Sequence, residues 1–134
     1  MKIKLAIAAH NTEKCFESGV YGTDDVPAAV KLSELVVGDI LVFYKNREGF
    51  AGIWQVVQPY YRDESKIWDD GIYPNRVKIE PVIALKPENY VDVKTMVNDL
   101  EMIKHPLYYG LAFRRNLVDI SEKDFTLIKS KLKK

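Results

Sequence analysis

Ile40-Leu41-Val42-Phe43-Tyr44, then Lys45-Asn46-Arg47-Glu48-Gly49, then Phe50-Ala51-Gly52-Ile53-Trp54-Gln55-Val56-Val57-Gln58 is the stretch on which the fold turns. The first piece is a continuous apolar run of strand length. The second is polar and ends in glycine, as a hairpin loop does. The third returns as a second strand, and Pro59 is expected to end it, because proline cannot donate to a β ladder.

Working outward, Gly38-Asp39 marks the turn into this hairpin. Arg76 to Leu85 reads as a further strand with Val77, Ile79 and Pro81 on one face, the proline suggesting an edge or a bulge. Lys2 to Ala8 alternates Ile3, Leu5 and Ile7 with small or charged residues, as a half-buried first strand does. Asn11 then suits the N-cap of a short helix through Ser18, with Cys15 and Phe16 inward and Gly19 as the stop. Val26 to Val37 is open to more than one reading, although Pro27 fits the first turn of a short helix. Val91 to Leu100 places Val93, Met96, Val97 and Leu100 at helical spacing. Gly110 to Phe113 and Leu117 to Ile120 look strand-like. Ser121-x-x-Asp124 matches a capping box opening a last helix that carries Phe125, Ile128 and Leu132 on one face. Strands outnumber helices and most neighbours are joined as hairpins, so the expected class is α+β: a small, strongly bent, mostly antiparallel barrel with helices outside.

The chain has 134 residues, which suits one domain over 1–134 with a core of its own. No run approaches the roughly 18 continuous apolar residues of a membrane helix, so no membrane partner is expected. The N-terminus reads as a strand rather than a signal peptide, and the expected location is cytoplasmic. Cys15 is the only cysteine, which rules out an intrachain disulfide. The net charge of +1 argues against a protein that holds nucleic acid mainly by its phosphates. Any such binding must use a base pocket or a local patch. The basic tail Lys129 to Lys134 is first of all a solvated helix end.

Enzyme signatures are thin. The two histidines, His10 and His105, stand in no metal-ligand spacing, and no nucleophile elbow or phosphate-binding glycine loop is present, so neither metal nor cofactor is expected. The pairs Asp24-Asp25, Asp63-Glu64 and Asp69-Asp70 read as solvated turn residues, and Cys15 as a buried, inert thiol. The aromatics say more. Trp54, Tyr60, Tyr61, Trp68 and Tyr73 crowd into one region. Trp54 alternates within a strand and belongs to the core. The other four lie in a segment that reads as polar loop, where they either wall a flat ligand or fold back over the core. Tyr21, in Gly19-Val20-Tyr21-Gly22-Thr23, is likewise either a ligand wall or a plug on a turn.

The order of these pieces resembles the EVE domain family, a PUA-like group related to YTH domains. Ala8-Ala9-His10-Asn11 with its helix and Ser18-Gly19-Val20-Tyr21-Gly22 is similar to the family's opening. The hairpin from Val37 to Trp54, the stretch Ile67-Trp68-Asp69-Asp70-Gly71-Ile72-Tyr73-Pro74-Asn75-Arg76-Val77, Met102-Ile103-Lys104, Gly110 to Arg114 and Ile120 to Phe125 follow in the family's order. The resemblance implies a PUA-like barrel with a base-sized pocket that recognises a modified cytosine or adenine in DNA or RNA without turnover. It implies Tyr21 and Trp68 as opposite, partly exposed walls, Asn11 reading the base edge and the Gly22 backbone beside the base. Thr23, Tyr60, Tyr73, Arg76 and Arg114 would be further pocket or backbone contacts. In two places the chain departs from the family: the turn aromatic is commonly tryptophan and here is Tyr21, and Thr12 stands where an aromatic is frequent. Two rivals remain: a hydrolase of modified nucleosides on the same fold, with Lys31, Glu34 or Glu64 as working groups, and a protein-interaction module.

Overall fold

The computed structural model of the chain describes residues 1–7 and 12–133. Its strands are β1 (Ile3–Ile7), β2 (Val20–Thr23), β3 (Ile40–Lys45), β4 (Gly49–Arg62), β5 (Asn75–Ala84) and β6 (Val118–Asp119). Its α-helices are α1 (Thr12–Ser18), α2 (Val26–Ser33) and α3 (Glu122–Leu132). The strands form one sheet in the order β2-β5-β4-β3-β1-β6. All pairs are antiparallel except β1 with β3.

The β3–β4 hairpin is the centre of the sheet, and both its faces are covered. Leu41 and Phe43 point into one apolar cluster with Cys15, Tyr21, Trp54 and Trp68. Ile40, Val42 and Tyr44 point into a second with Phe50, Phe113 and Ile128. Burial on both faces explains why the run is apolar without alternation. β4 carries an extra residue at its start: Tyr44 pairs with Phe50, while Phe43 pairs with Gly52. Three further register shifts separate β4 from β5. Bulges bend a strand and increase its twist, and here they curl the sheet into a half-barrel.

Several elements differ from the sequence reading, each for a local reason. β4 runs on to Arg62 through Pro59, because the proline falls in the unpaired stretch between Gln58 and Tyr61, where no ladder donor is needed. Tyr60 and Tyr61 are therefore strand residues. Val91–Leu100 is not a helix: Val91 bridges to Phe50 at the sheet margin, and the Asp92 carboxylate caps a single 3-10 turn over Val93–Thr95. Pro106–Phe113 is a 3-10 segment instead of a strand, opened by a proline suited to the first helical turn. α2 forms as Pro27 suggested, with the Asp25 carboxylate accepting from Ala28 N at 3.0 Å. Ser121 caps α3 through Asp124 N. The buried Asp124 carboxylate does not close a box; it accepts from Glu101 N and Met102 N at 2.8 and 2.9 Å, fastening the preceding turns to α3.

Candidate nucleic-acid site

The connection from β4 to β5, residues 63–74, has no regular structure of its own and closes around Arg76. The Arg76 side chain is 1% exposed. Its Nε donates to Tyr73 O at 3.1 Å, Nη1 to Ser65 Oγ at 2.9 Å, and Nη2 to Ile72 O at 2.9 Å and to Ser65 O. Asp63 lies 3.6 Å from Nη1. Its carboxyl is held below the usual range, chiefly by hydrogen bonds from Ser65 and only secondarily by Arg76. The guanidinium also covers the Trp68 indole at 5.1 Å, and Tyr73 meets that indole edge-on at 5.4 Å. Arg76 is thus a loop clamp, its donors occupied by the protein, and not a contact for nucleic-acid backbone.

The underside of Trp68 rests on Gly22. A Cβ there would meet Tyr73 O at 2.7 Å and Trp68 Cη2 at 2.8 Å, so only glycine fits. This contact settles which side of β2 the indole occupies. Gly22 pairs with Arg76, and Tyr21 pairs with Val77. Paired residues share a face and successive residues alternate. Trp68 lies on the Gly22–Arg76 side. Tyr21 projects from the other, edge-on to Phe43 at 5.5 Å. Both rings nonetheless belong to one apolar cluster with Cys15 and Phe43. Both are also buried, Trp68 at 1% and Tyr21 at 3% exposure, where partial exposure was expected.

The hydroxyl end of Tyr21 leads to a residue that the sequence reading passed over. Asn116 Nδ2 donates to Tyr21 Oη. Asn116 Oδ1 accepts from Ile7 N at 2.8 Å and from Leu117 N at 3.0 Å, and Asn116 O accepts from Lys31 Nζ at 3.3 Å. One residue thus joins β1, β2 and the approach to β6 through its side-chain amide, and α2 through its backbone carbonyl. Burial pushes the Tyr21 hydroxyl well above the ordinary phenol value, with the Asn116 bond opposing it, so this hydroxyl stays protonated. Nothing in the local sequence marks Asn116; its position follows from a contact 95 residues away along the chain.

Asn116 lies in the wall of a groove of about 550 Å³, together with Asp25, Ala28, Lys31, Arg114 and Arg115. Three cations face one carboxylate there, and that carboxylate already serves as the α2 cap. Of the other expected contacts, only Arg114 reaches this groove. Thr23 is buried, its Oγ1 accepting from Asp25 N at 3.1 Å. Tyr60 is exposed and its hydroxyl donates to Asn75 Oδ1 at 2.6 Å. Tyr73 belongs to the Arg76 clamp. Of the residues considered for catalysis, Lys31 lies in the groove, while Glu34 and Glu64 do not line it. The reading of Asn11 lies outside the described residues, though the flanking Ile7 touches Asn116. Cys15 is buried and its thiol is pushed up to about 12, first by burial; the nearby Trp68 indole opposes this slightly without forming a well-aligned hydrogen bond. Among the described residues no group of three or more His, Cys, Asp or Glu side chains is placed to hold a metal ion. No helix among them is long and apolar enough to cross a membrane.

The curled six-stranded sheet with its outer helices is the α+β architecture of PUA-like domains. By structure the chain is similar to the Pho92 YTH domain solved in complex with m6A, at 18% identity and a TM-score of 0.74, covering 99% of this chain and 86% of that one. It is similar to the YTH domain of the Zygosaccharomyces rouxii MRB1 protein solved with N6-methyladenosine RNA, at 16% identity and 0.73, covering 99% and 85%. A Pseudomonas putida protein matches at 18% identity and 0.67, covering 96% and 98%. None of the curated proteins matches the sequence. The EVE domain profile matches residues 10–131, and the chain belongs to the EVE domain family.

Proposed function

We propose that this EVE domain binds nucleic acid by receiving one modified, unpaired base in the groove between α2 and Arg114–Asn116. The observation that carries the reading is the Asn116 network. Its Oδ1 is held by two backbone N–H groups and one Nδ2 hydrogen by Tyr21 Oη, which fixes the amide's orientation. The second Nδ2 hydrogen then remains for an acceptor on a base edge, while the buried Tyr21 hydroxyl holds the amide in place. Lys31, Arg114 and Arg115 line the same groove and suit the neighbouring phosphates. The likeness to YTH domains solved with m6A and N6-methyladenosine RNA supports a modified base as the class of ligand. In this reading Trp68 is a brace behind Gly22 that holds the strand carrying Tyr21, and not a second wall.

Selectivity for the modification has to come from more than added contact. One buried methyl contributes only about 0.8 kcal/mol. Rejecting the unmodified base requires leaving its N–H without a partner, which costs roughly 1–3 kcal/mol.

Fluorescence titration with short DNA and RNA strands carrying one modified adenine or cytosine, or none, tests the proposal. One modified strand is expected to bind at least about tenfold tighter than its unmodified counterpart, a difference of about 1.4 kcal/mol. Asn116→Asp keeps the acceptor for Ile7 and Leu117 and removes the Nδ2 donors, so it should erase that preference with little change in melting. Equal affinity for every modified and unmodified strand sinks the reading. A second reading follows from Lys31 in the same groove: a hydrolase of modified nucleosides. Mass spectrometry of nucleosides incubated with the protein decides it, since a reader returns them unchanged.

A further inference from the structure

The 3-10 segment Pro106–Phe113 carries apolar side chains that the core does not use: Leu107 is 89% exposed, Tyr108 68% and Leu111 49%. It borders a second cavity of about 570 Å³, whose wall includes Arg47, Lys94, Leu107, Tyr109 and Phe113. This cavity and the groove lie at the same end of the sheet. Ile7 of β1 and Tyr44 of β3 are direct cross-strand partners, about 4.8 Å apart as neighbouring strands are. Ile7 N bonds Asn116, in the groove wall. Tyr44 stacks on Phe113, in the cavity wall, at 3.9 Å and 11° between planes. Only Arg114 and Arg115 separate Phe113 from Asn116, so their Cα atoms are at most about 10 Å apart, the rise of about three stacked nucleotides.

We propose that Pro106–Phe113, with Arg47 and Lys94, is the contact surface for the nucleotides flanking the bound base in a single strand. The chemistry favours this occupant. The exposed Tyr108, in a hollow that adjoins the cavity through Tyr109, offers a sequence-tolerant stacking face, and the cavity's cations track a phosphate backbone. Arg47 and Lys94 face one carboxylate, Asp92, whose Oδ1 already accepts from Lys94 N at 2.9 Å. Arg114 and Arg115 continue the positive charge from this surface into the groove. A protein partner would call for an apolar patch with fewer charges at its centre. Single strands suit the arrangement better than duplex, because stacking on Tyr108 needs bases free of their neighbours.

The surface extends the base-reading groove and rests on that reading, so the experiment separates the two. The intact domain, Tyr108→Ala and Arg47→Ala/Lys94→Ala are titrated with three probes: a modified mononucleoside, an unmodified single strand of about ten nucleotides as DNA and as RNA, and the matching duplex. All three changed side chains are exposed, and equal melting temperatures confirm an unaltered fold. Tyr108→Ala is expected to weaken single-strand binding about tenfold. Arg47→Ala/Lys94→Ala should flatten the salt dependence by about one to two units of slope. Nucleoside binding should be unchanged in both. Single-strand affinity and slope identical in all three proteins overturn the proposal, as does duplex binding that matches the single strand. If the nucleoside does not bind while strand affinity depends on Tyr108, the flanking surface stands and the base-reading groove falls. If the nucleoside binds and the strand binds no tighter, the groove stands and this surface falls.

Discussion

A guanidinium offers five N–H donors in a fixed plane, and at Arg76 three backbone carbonyls and a serine hydroxyl take four of them. Lysine keeps the charge but cannot reach those acceptors at once. Arg76→Lys is therefore expected to lower unfolding stability by on the order of 2–4 kcal/mol, from buried carbonyls left without donors, as read from urea titrations. Asp63→Asn should change little, because the carboxylate is solvent-exposed and its ion pair is peripheral. Equal losses for the two variants would mean that the ion pair, and not the carbonyl set, holds the loop. The sequence placed Arg76 next to the aromatic loop, but it gave no means of telling a clamp from a ligand contact. That distinction depends on where Ser65 and Ile72 turn their carbonyls, which no side-chain pattern encodes.

At the scale of elements, the legible parts were those with a strong local cause. The β3–β4 hairpin and α3 behind Ser121 carry their own start or stop signals, whereas α2 stays open in the sequence despite Pro27, because the Asp25 cap reads as a solvated turn residue. Val91–Leu100 was misread because an apolar period alone cannot separate a helix from successive turns over a core, and here the bridge to Phe50 claims Val91. Tyr21 reads as a turn residue because a four-residue edge strand that follows Gly19 and contains Gly22 looks like a turn itself. The consequence for the site is that Trp68 packs on the Gly22 position of this strand, within the apolar cluster that also holds Tyr21. Gly22→Ala tests that geometry. The new methyl would meet Tyr73 O at 2.7 Å, and a backbone carbonyl cannot swing away as a side-chain tip can. The loop must shift, with an expected loss of about 1–3 kcal/mol from overpacking. Tryptophan emission should move to the red as Trp68 is uncovered. Gly110→Ala is the matched control, since a Cβ there meets nothing within 4 Å. An unchanged spectrum and stability for Gly22→Ala would show that Trp68 does not rest on this strand.

For the whole molecule, charge decides how nucleic acid can be held. Twenty lysines and arginines are matched by nineteen aspartates and glutamates, so no strong overall field draws in a polyanion. What positive charge there is along the proposed path amounts to Lys31, Arg114 and Arg115 in the groove and Arg47 and Lys94 beyond it. Each phosphate contacted in a single strand contributes about −0.7 to the slope of log K against log salt, so five cations predict a slope no steeper than about −3.5. Titrating a modified and an unmodified strand across a range of salt concentrations should give two parallel lines of that slope. The gap between them should persist at high salt, because base-edge hydrogen bonds and apolar contact release no counterions. A slope steeper than about −6 would require more phosphate contacts than these side chains supply. Lines that converge as salt rises would place the selectivity in the phosphates, and the groove at Asn116 would then have no part in choosing the base.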